Sequence, residues 1–380
     1  VYQFKRTERR ETLVDLRVEK LAKILVHHSL RLERGERFII FAKPLAEPLI
    51  EAVYSEAIRV GAHVGCRVNL GCLGDSFYRY ADDDQIKFVW ENEKQLIEEM
   101  DAALYIEGSY NTRAGSGYDS AKRAARVKAV SGLFKRRLER AAAGELKWTI
   151  TLFPAPADAQ EADMSTRDFE DFVYGACLCD TEEPVEEWRR LDKELSVRSA
   201  WLSGHDEFRV VAEGTDLTFH TGKRKWEAST GVHNIPDGEV CTAPLEDSAE
   251  GYISFKFPTV YNSREVEDIF LRLEKGVVVE ARARRGQDIL EEALSIDEGA
   301  RRVGEAAIGC NYSIQKYSKN ILFDEKIGGT VHFALGSSIF EVGGKNKSGI
   351  HWDMICDLRP GGEYYADGTL FYKDGKFLDV

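Results

Sequence analysis

His351 and Asp353 stand two residues apart in the stretch GIHWDMICD (349–357), an otherwise apolar run. If that run is a strand, alternate side chains point the same way about 7 Å apart, so an imidazole and a carboxylate share one face and Trp352 takes the other. Such a face either meets water or lines a site. Four further acid or imidazole side chains lie in comparable settings: Glu239 in NIPDGEVCTAP, Glu305 in GARRVGEAAIG, which reads as a helix, and Glu325 and His332 in NILFDEKIGGTVHFALG. Each interrupts a mostly apolar, glycine-flanked stretch, where a lone charge is expensive to desolvate. Burying several together is sensible if a cation neutralises them, because the basic residues nearby read as lying outside these runs. Together the six side chains offer nitrogen and oxygen donors without a thiolate, a set suited to borderline or hard divalent ions.

Taken one at a time, each residue also has a structural explanation. Glu239 can cap a turn, Glu305 can sit on the solvated face of a helix, Glu325 can be a loop acid beside Asp324, and His332 can be a core histidine. Spacing alone leaves these alternatives open.

The elements that position these residues change character along the chain. Residues 12–33 have helical spacing through Leu13, Leu16, Leu21, Ile24 and Leu25, and ERFIIFA (36–42) reads as a buried strand. A helix over 46–62 stops at Gly61, and strand-like runs follow at 63–70, 101–108 and 145–154. Alternating helix and strand predict an α/β N-terminal domain with a mainly parallel sheet. Helices are expected over 163–178 and 182–204. Beyond residue 203 the pattern alternates and is punctuated by turns, ending in two Asp-Gly pairs (367–368 and 374–375) that signal hairpins. We therefore expect a boundary near 195–205, with an N-terminal domain over 1–200 and an α+β, strand-rich C-terminal metal-binding domain over 201–380. No GxGxxG or Walker loop is present, so nucleotide binding is not expected.

Composition narrows the function class. The chain has 380 residues, 43% hydrophobic and 31% charged, which suffices for two separate cores. A net charge of −13 opposes binding to nucleic acid or to an anionic membrane. The basic run at 121–140 reads as the solvated face of a helix. No apolar run approaches the length of about 20 residues that spans a bilayer. The opening VYQFKRTERRETLVDL lacks the apolar centre of a signal peptide, and Val1 in place of Met implies processing or missing residues. The seven cysteines are scattered and odd in number, which argues for a reducing, cytoplasmic setting and against a disulfide framework or thiolate zinc site.

In this order the blocks GTDLTF, NIPDGEVCTAP, GEAAIG, NILFDEKIGGTVHFALG and GGKNKSGIHWDMICD resemble those of the thermophilic aminopeptidase family, the aminopeptidase T and PepS type of two-metal exopeptidases. The likeness is closest over residues 205–380. It implies removal of N-terminal residues from short peptides at a dinuclear centre of zinc, cobalt, manganese or magnesium. It places metal ligands at Glu239, Glu305, Glu325, His332, His351 and Asp353, with Glu305 bridging the ions. Two cations about 3.5–4 Å apart lower the pKa of a shared water and polarise the scissile carbonyl. Glu305 and Glu239 are then the expected catalytic carboxylates, with Asp353 a further acid able to take the water's proton. The resemblance also implies a homodimer with enclosed clefts that admit short peptides.

One position departs from the family pattern. Family members usually carry a Tyr seven residues after the histidine of the HFALG block, and here that residue is Ile339. An isoleucine donates no hydrogen bond, and losing one oxyanion donor commonly costs about 10²–10³ in turnover. Tyr312, Tyr317 and Tyr261 are the candidate substitutes. The departure raises two alternatives: a ring-cleaving non-haem iron dioxygenase using His332, His351 and Asp353 as a 2-His-1-carboxylate triad, and a metal-binding homologue without turnover.

Overall fold

The computed structural model describes residues 15–262 and 264–379. The expected helical position Leu13 and most of the opening segment lie outside the described residues. Four parallel strands in the first half, His63–Val68, Arg37–Ala42, Ala102–Glu107 and Lys147–Leu152, pair in that spatial order. Phe38, Ile40 and Ala42 alternate inward from the Arg37–Ala42 strand and are buried, as the apolar run requires. The helix Glu47–Val60 packs its Leu49, Val53 and Ala57 inward and ends at Gly61. Gly61 has φ +95°, a left-handed cap that returns its N–H to the carbonyls of Ala57 and Ile58. Parallel pairing is the arrangement that alternating helices and strands predict.

The sheet does not end with the first half of the chain. Its fifth strand is Asn234–Ile235, which pairs in parallel with Lys147–Leu152. Ile235, Ile314, Phe323 and Ile327 join the same apolar cluster as Leu21, Phe38 and Leu104. The change of texture at about residue 203 falls between the helix Pro184–Leu202 and the strand Glu207–Ala212. The basic run lies in the helix Ser120–Ala142, of which only Arg140 is buried. Among the described residues no helix is long and apolar enough to cross a membrane.

Two antiparallel sheets make up the strand-rich part. One has nine strands and includes Glu207–Ala212, Thr215–His220, Arg264–Glu274 and the two terminal hairpins. The hairpins turn at Asp367-Gly368 and Asp374-Gly375, all four residues having positive φ. The other has five strands, in the order His351–Asp357, Thr330–Gly336, Val303–Gly309, Glu239–Thr242 and Glu227–Ser229. The two share one core, where Phe219 meets Phe333 edge-on at 5.8 Å between ring centres. Burying a phenylalanine in this way contributes about 1.5–3 kcal/mol relative to exposure.

One element differs from its sequence reading. The GEAAIG segment, expected to be helical and to carry Glu305 on a helix, is the strand Val303–Gly309. All seven of its residues are buried. A strand covered on both faces loses the period of two that identifies a half-exposed strand, so its short apolar run does not distinguish the two structures.

Candidate metal centre

The five-stranded antiparallel sheet brings the candidate ligands together through its register. Glu239 opens the strand Glu239–Thr242, and Gly309 lies opposite it. Glu305 lies opposite Ala334, which lies opposite Asp353. Ala307 faces Cys241 on one side and His332 on the other, and Gly336 faces His351. Cross-strand partners and alternate residues share a face, so all of these side chains project from one side of the sheet. Ala307, Gly309, Ala334 and Gly336 stand among the ligands on this face, with Cys241 beside Ala307 and Ile355 beside His332.

Contacts among the ligands follow from that placement. His332 Nε2 lies 3.4 Å from Glu239 Oε2 and 3.5 Å from Glu305 Oε1. His351 Nε2 lies 3.1 Å from Glu305 Oε2 and 3.6 Å from Asp353 Oδ2. Glu305 thus stands between the two imidazoles and offers one oxygen to each. His351 Nδ1 is 2.8 Å from the Ser337 carbonyl, which fixes its ring and leaves Nε2 facing the carboxylates. Glu239 Oε2, both ring nitrogens of His332 and Asp353 Oδ1 are buried with no hydrogen-bond partner. Buried polar atoms are ordinarily paired, so four orphans in one cluster mark a place for a ligand.

The electrostatics point the same way. Burial lowers the two histidines, but the carboxylates beside them overcome it, pushing His332 up to about 9 and His351 up to about 10. Burial pushes Glu305 up, yet the His332 and His351 imidazoles beside it hold it well below the usual carboxylate range. Burial pushes Glu239 up to about 8, against the pull of Lys326, and Asp353 up to about 6, against that of His351. In the absence of an ion, protons supply the positive charge that this set of acids demands.

Sequence reasoning missed Lys326. The expectation that basic residues lie outside the ligand runs does not hold, because Lys326 is fully enclosed and its Nζ lies 2.6 Å from both Glu239 Oε1 and Glu325 Oε1. Asp237 Oδ1 is 3.6 Å away. A lysine inside an apolar stretch, directly after an acid, was the available signal, since a buried ammonium requires carboxylate partners. Glu325 therefore has one oxygen on Lys326, while it also lies in a group with His332 and Asp353 whose ligand atoms are all within 4.8 Å of one another. Cys241 forms a similar group with Glu239 and Glu305, but burial pushes its thiol far up and keeps it protonated.

A cleft of about 400 Å³ opens beside His351 and Asp353, walled by Asp158 and Phe169 from the first half of the chain and by Thr259 and Tyr317 from the second. The His351 side chain is 38% exposed, whereas those of Glu239, Glu305, His332 and Asp353 are all at or below 10%. The centre is thus approached past His351. Among the three tyrosines considered as substitutes, Tyr317 lines this cleft, and its hydroxyl donates to the Pro258 carbonyl. Burial pushes that phenol far up, so it remains a hydrogen-bond donor. The Tyr312 hydroxyl is instead tied to the Gly375 carbonyl at 2.9 Å, and Tyr261 packs on Trp352. Ile339 lies on the segment after the His332 strand, where its carbonyl accepts from the Gly344 N–H.

Comparison with known proteins extends these observations. The model of the thermophilic metalloprotease (M29) family matches residues 14–377. Aminopeptidase T of Thermus thermophilus is 27% identical over 94% of this chain and 95% of its own length. Aminopeptidase PepS of Streptococcus thermophilus is 24% identical over 89% of this chain and 91% of its own. The solved structure of wild-type AmpT from Thermus thermophilus superposes with a TM-score of 0.84 at 25% identity, covering 96% of this chain and 99% of that one.

Proposed function

This chain belongs to the thermophilic metalloprotease family (M29), and on that premise we propose that it is a metal-dependent aminopeptidase removing N-terminal residues from short peptides at a centre of two divalent ions. The observation that carries the reading is Glu305, placed between His332 and His351 with one oxygen toward each. Glu239, Glu305 and His332 make one donor set and Glu305, His351 and Asp353 the other, with Glu325, grouped with His332 and Asp353, completing the six ligands. The charge count agrees. Asp237, Glu239, Glu305, Glu325 and Asp353 face a single ammonium, that of Lys326, and the four negative charges left over match two divalent cations. The mixed nitrogen and oxygen set fits zinc, cobalt or manganese better than magnesium, which favours oxygen alone.

Ions bound there supply an activated water and a polarised carbonyl. The chain's own residues do the rest. Glu305 and Glu239 are the carboxylates placed to take a proton from the attacking water, both in a site from which bulk solvent is largely excluded. His351, fixed by the Ser337 carbonyl, forms the floor of the cleft where the scissile bond arrives. Tyr317, with Ile339 unable to donate, is the phenol on the cleft wall, and it can steady developing negative charge only by releasing the Pro258 carbonyl to which its hydroxyl donates. Residues 201–380 contribute every ligand, while residues up to 200 supply one wall through Asp158 and Phe169. The two-domain division, the homodimer and the cytoplasmic setting expected from the sequence belong to this same proposal.

Purified protein supplied with Zn²⁺ or Co²⁺ is expected to hydrolyse aminoacyl-p-nitroanilides and to lose that activity to a chelator, with recovery when the ion is returned. Hydrolysis that survives complete chelation, or absence of hydrolysis with every ion, contradicts the reading.

A further inference from the structure

The strand His351–Asp357 is an edge of its sheet, paired on one side only, with Thr330–Gly336. Its register fixes where each main-chain group points. The Ser337 N–H donates to the Ile350 carbonyl, and the Leu358 N–H donates to the Gly329 carbonyl. Trp352, Met354 and Cys356, in step with Ile350 and Leu358, therefore turn their N–H and C=O groups toward the neighbouring strand, and the residues between them turn theirs away from it. His351 and Asp353 thus direct side chains at the metal centre and main-chain groups at the open edge. The Asp353 carbonyl shows that direction, since it accepts from the Thr259 hydroxyl at 3.1 Å. Among the described residues, no hydrogen bond reaches the N–H or the carbonyl of His351, or the N–H of Asp353. The cleft runs along this edge, with His351, Trp352 and Asp353 on one side and Thr259 and Val260 beside them. The strand Thr259–Tyr261 is paired elsewhere, with Arg264–Glu274.

We propose that the His351–Asp353 edge is a main-chain binding site for the part of the peptide that follows the scissile bond, which lies beside it as a short added strand. The inference rests on the aminopeptidase reading above and deepens it by saying how the substrate is held. A scissile carbonyl brought to the ligands of His351 and Asp353 is followed at once by main chain within reach of the same two residues. The His351 carbonyl accepts the N–H of the third substrate residue, and one of the two free N–H groups, of His351 or Asp353, donates to the carbonyl of that residue. Thr259 occupies the next acceptor along the edge, so the free stretch ends there and grips one substrate residue by both of its main-chain groups. Such bonds read the backbone and not the side chain. The site therefore favours peptides of three residues over those of two, with little regard to the third side chain.

The test uses the wild-type chain loaded with Zn²⁺ or Co²⁺ and reads release of free leucine from Leu-Ala-Ala and its relatives, all with the same scissile amide. Replacing the second amide by an ester, as in Leu-Ala-lactate, removes only the N–H offered to the His351 carbonyl. It should lower kcat/KM by about 10-fold, the effect of one hydrogen bond whose acceptor is left unpaired. The dipeptide Leu-Ala should lose at least as much, whereas Leu-Ala-Val, changed only in its third side chain, should stay within about threefold of the parent. Location is read separately, by residue-resolved hydrogen exchange. An uncleavable Leu-Ala-Ala, its scissile carbonyl reduced to CH₂, should slow exchange of the Asp353 or His351 amide about 10-fold or more relative to loaded protein alone. An ester cleaved within about twofold of the amide, or unchanged exchange at both amides with the peptide bound, overturns the proposal. Failure of every peptide to release leucine with either ion refutes the aminopeptidase reading itself, a result distinct from an ester that merely matches its amide.

Discussion

The two five-stranded sheets of this protein treat buried polarity in opposite ways. The parallel sheet is lined by Phe38, Ile40, Leu104 and Ile106, and its buried Thr151 hydroxyl donates to the Ile235 carbonyl at 2.8 Å. Among the described atoms of that sheet only Thr149 Oγ1 is buried without a partner. The antiparallel sheet that carries Glu239, Glu305, His332 and Asp353 has two strands buried throughout, yet leaves four nitrogen and oxygen atoms of these residues unpaired. One sheet satisfies its polar groups from within, and the other reserves them. The cost of the second arrangement is borne in the absence of ligand, where protons and Lys326 supply the missing positive charge.

The contrast breaks most severely at Glu305. Glu305→Gln keeps the shape but removes the charge shared by both donor sets, and kcat/KM should fall by about 10³-fold or more, equivalent to about 4 kcal/mol. Metal analysis should show loss of at least one ion at the same time. In the parallel sheet the matching experiment is Ile40→Ala, which removes buried apolar volume and should cost about 2–5 kcal/mol of unfolding free energy. That cost should be the same with and without chelator, measured by denaturant unfolding, because nothing near Ile40 binds metal. A metal-dependent cost at Ile40 would blur the distinction between the sheets.

A smaller effect tests the cleft. Tyr317→Phe should lower kcat by about 10²-fold with KM little changed, as expected for a donor used chiefly in the transition state. If kcat holds in Tyr317→Phe but rises strongly in Ile339→Tyr, the cleft lacks the donor and Tyr317 does not replace it.

The smallest effect concerns pH. His332 and His351 are raised above the ordinary histidine value of about 6.5, to about 9 and about 10 respectively. The stability they contribute to the metal-free protein is therefore fully present below the unfolded value and is lost as pH rises through their folded values. Glu239 and Asp353, also raised, act in the same direction, because the native state holds protons that the unfolded chain has released. Glu305, lowered, matters only in the acid range. Metal-free protein should accordingly melt at lower temperature at pH 9 than at pH 6.5, and the gain in melting temperature on adding Zn²⁺ should be larger at pH 9. A gain that shrinks as pH rises contradicts the assignment of these groups to one ion-binding cluster.

Much of this architecture is legible in the amino-acid sequence. Short apolar runs between helical patterns identify the parallel strands, Gly61 marks the end of a helix, and the Asp-Gly pairs locate the terminal hairpins, because each of these is a local signal. The His351-x-Asp353 spacing gave a shared face by the geometry of any strand. Glu305 reads as helical in sequence because Val303–Gly309 is covered on both sides and shows no alternation. Asn234–Ile235 escaped notice as a strand of the first sheet because two residues carry no period at all. Lys326 and Glu325 were the hardest to read. Whether an acid faces an ion or an ammonium depends on which segments fold against it, here ones 87 residues apart.

The most direct test of the central claim is anomalous diffraction at the zinc edge from crystals grown with Zn²⁺. The account predicts two peaks per chain. One should lie roughly 2.0–2.2 Å from atoms of Glu239, Glu305 and His332, and the other at a similar distance from Glu305, His351 and Asp353. A single peak, or none, with Glu305 and both imidazoles still in contact as they are here, would contradict it.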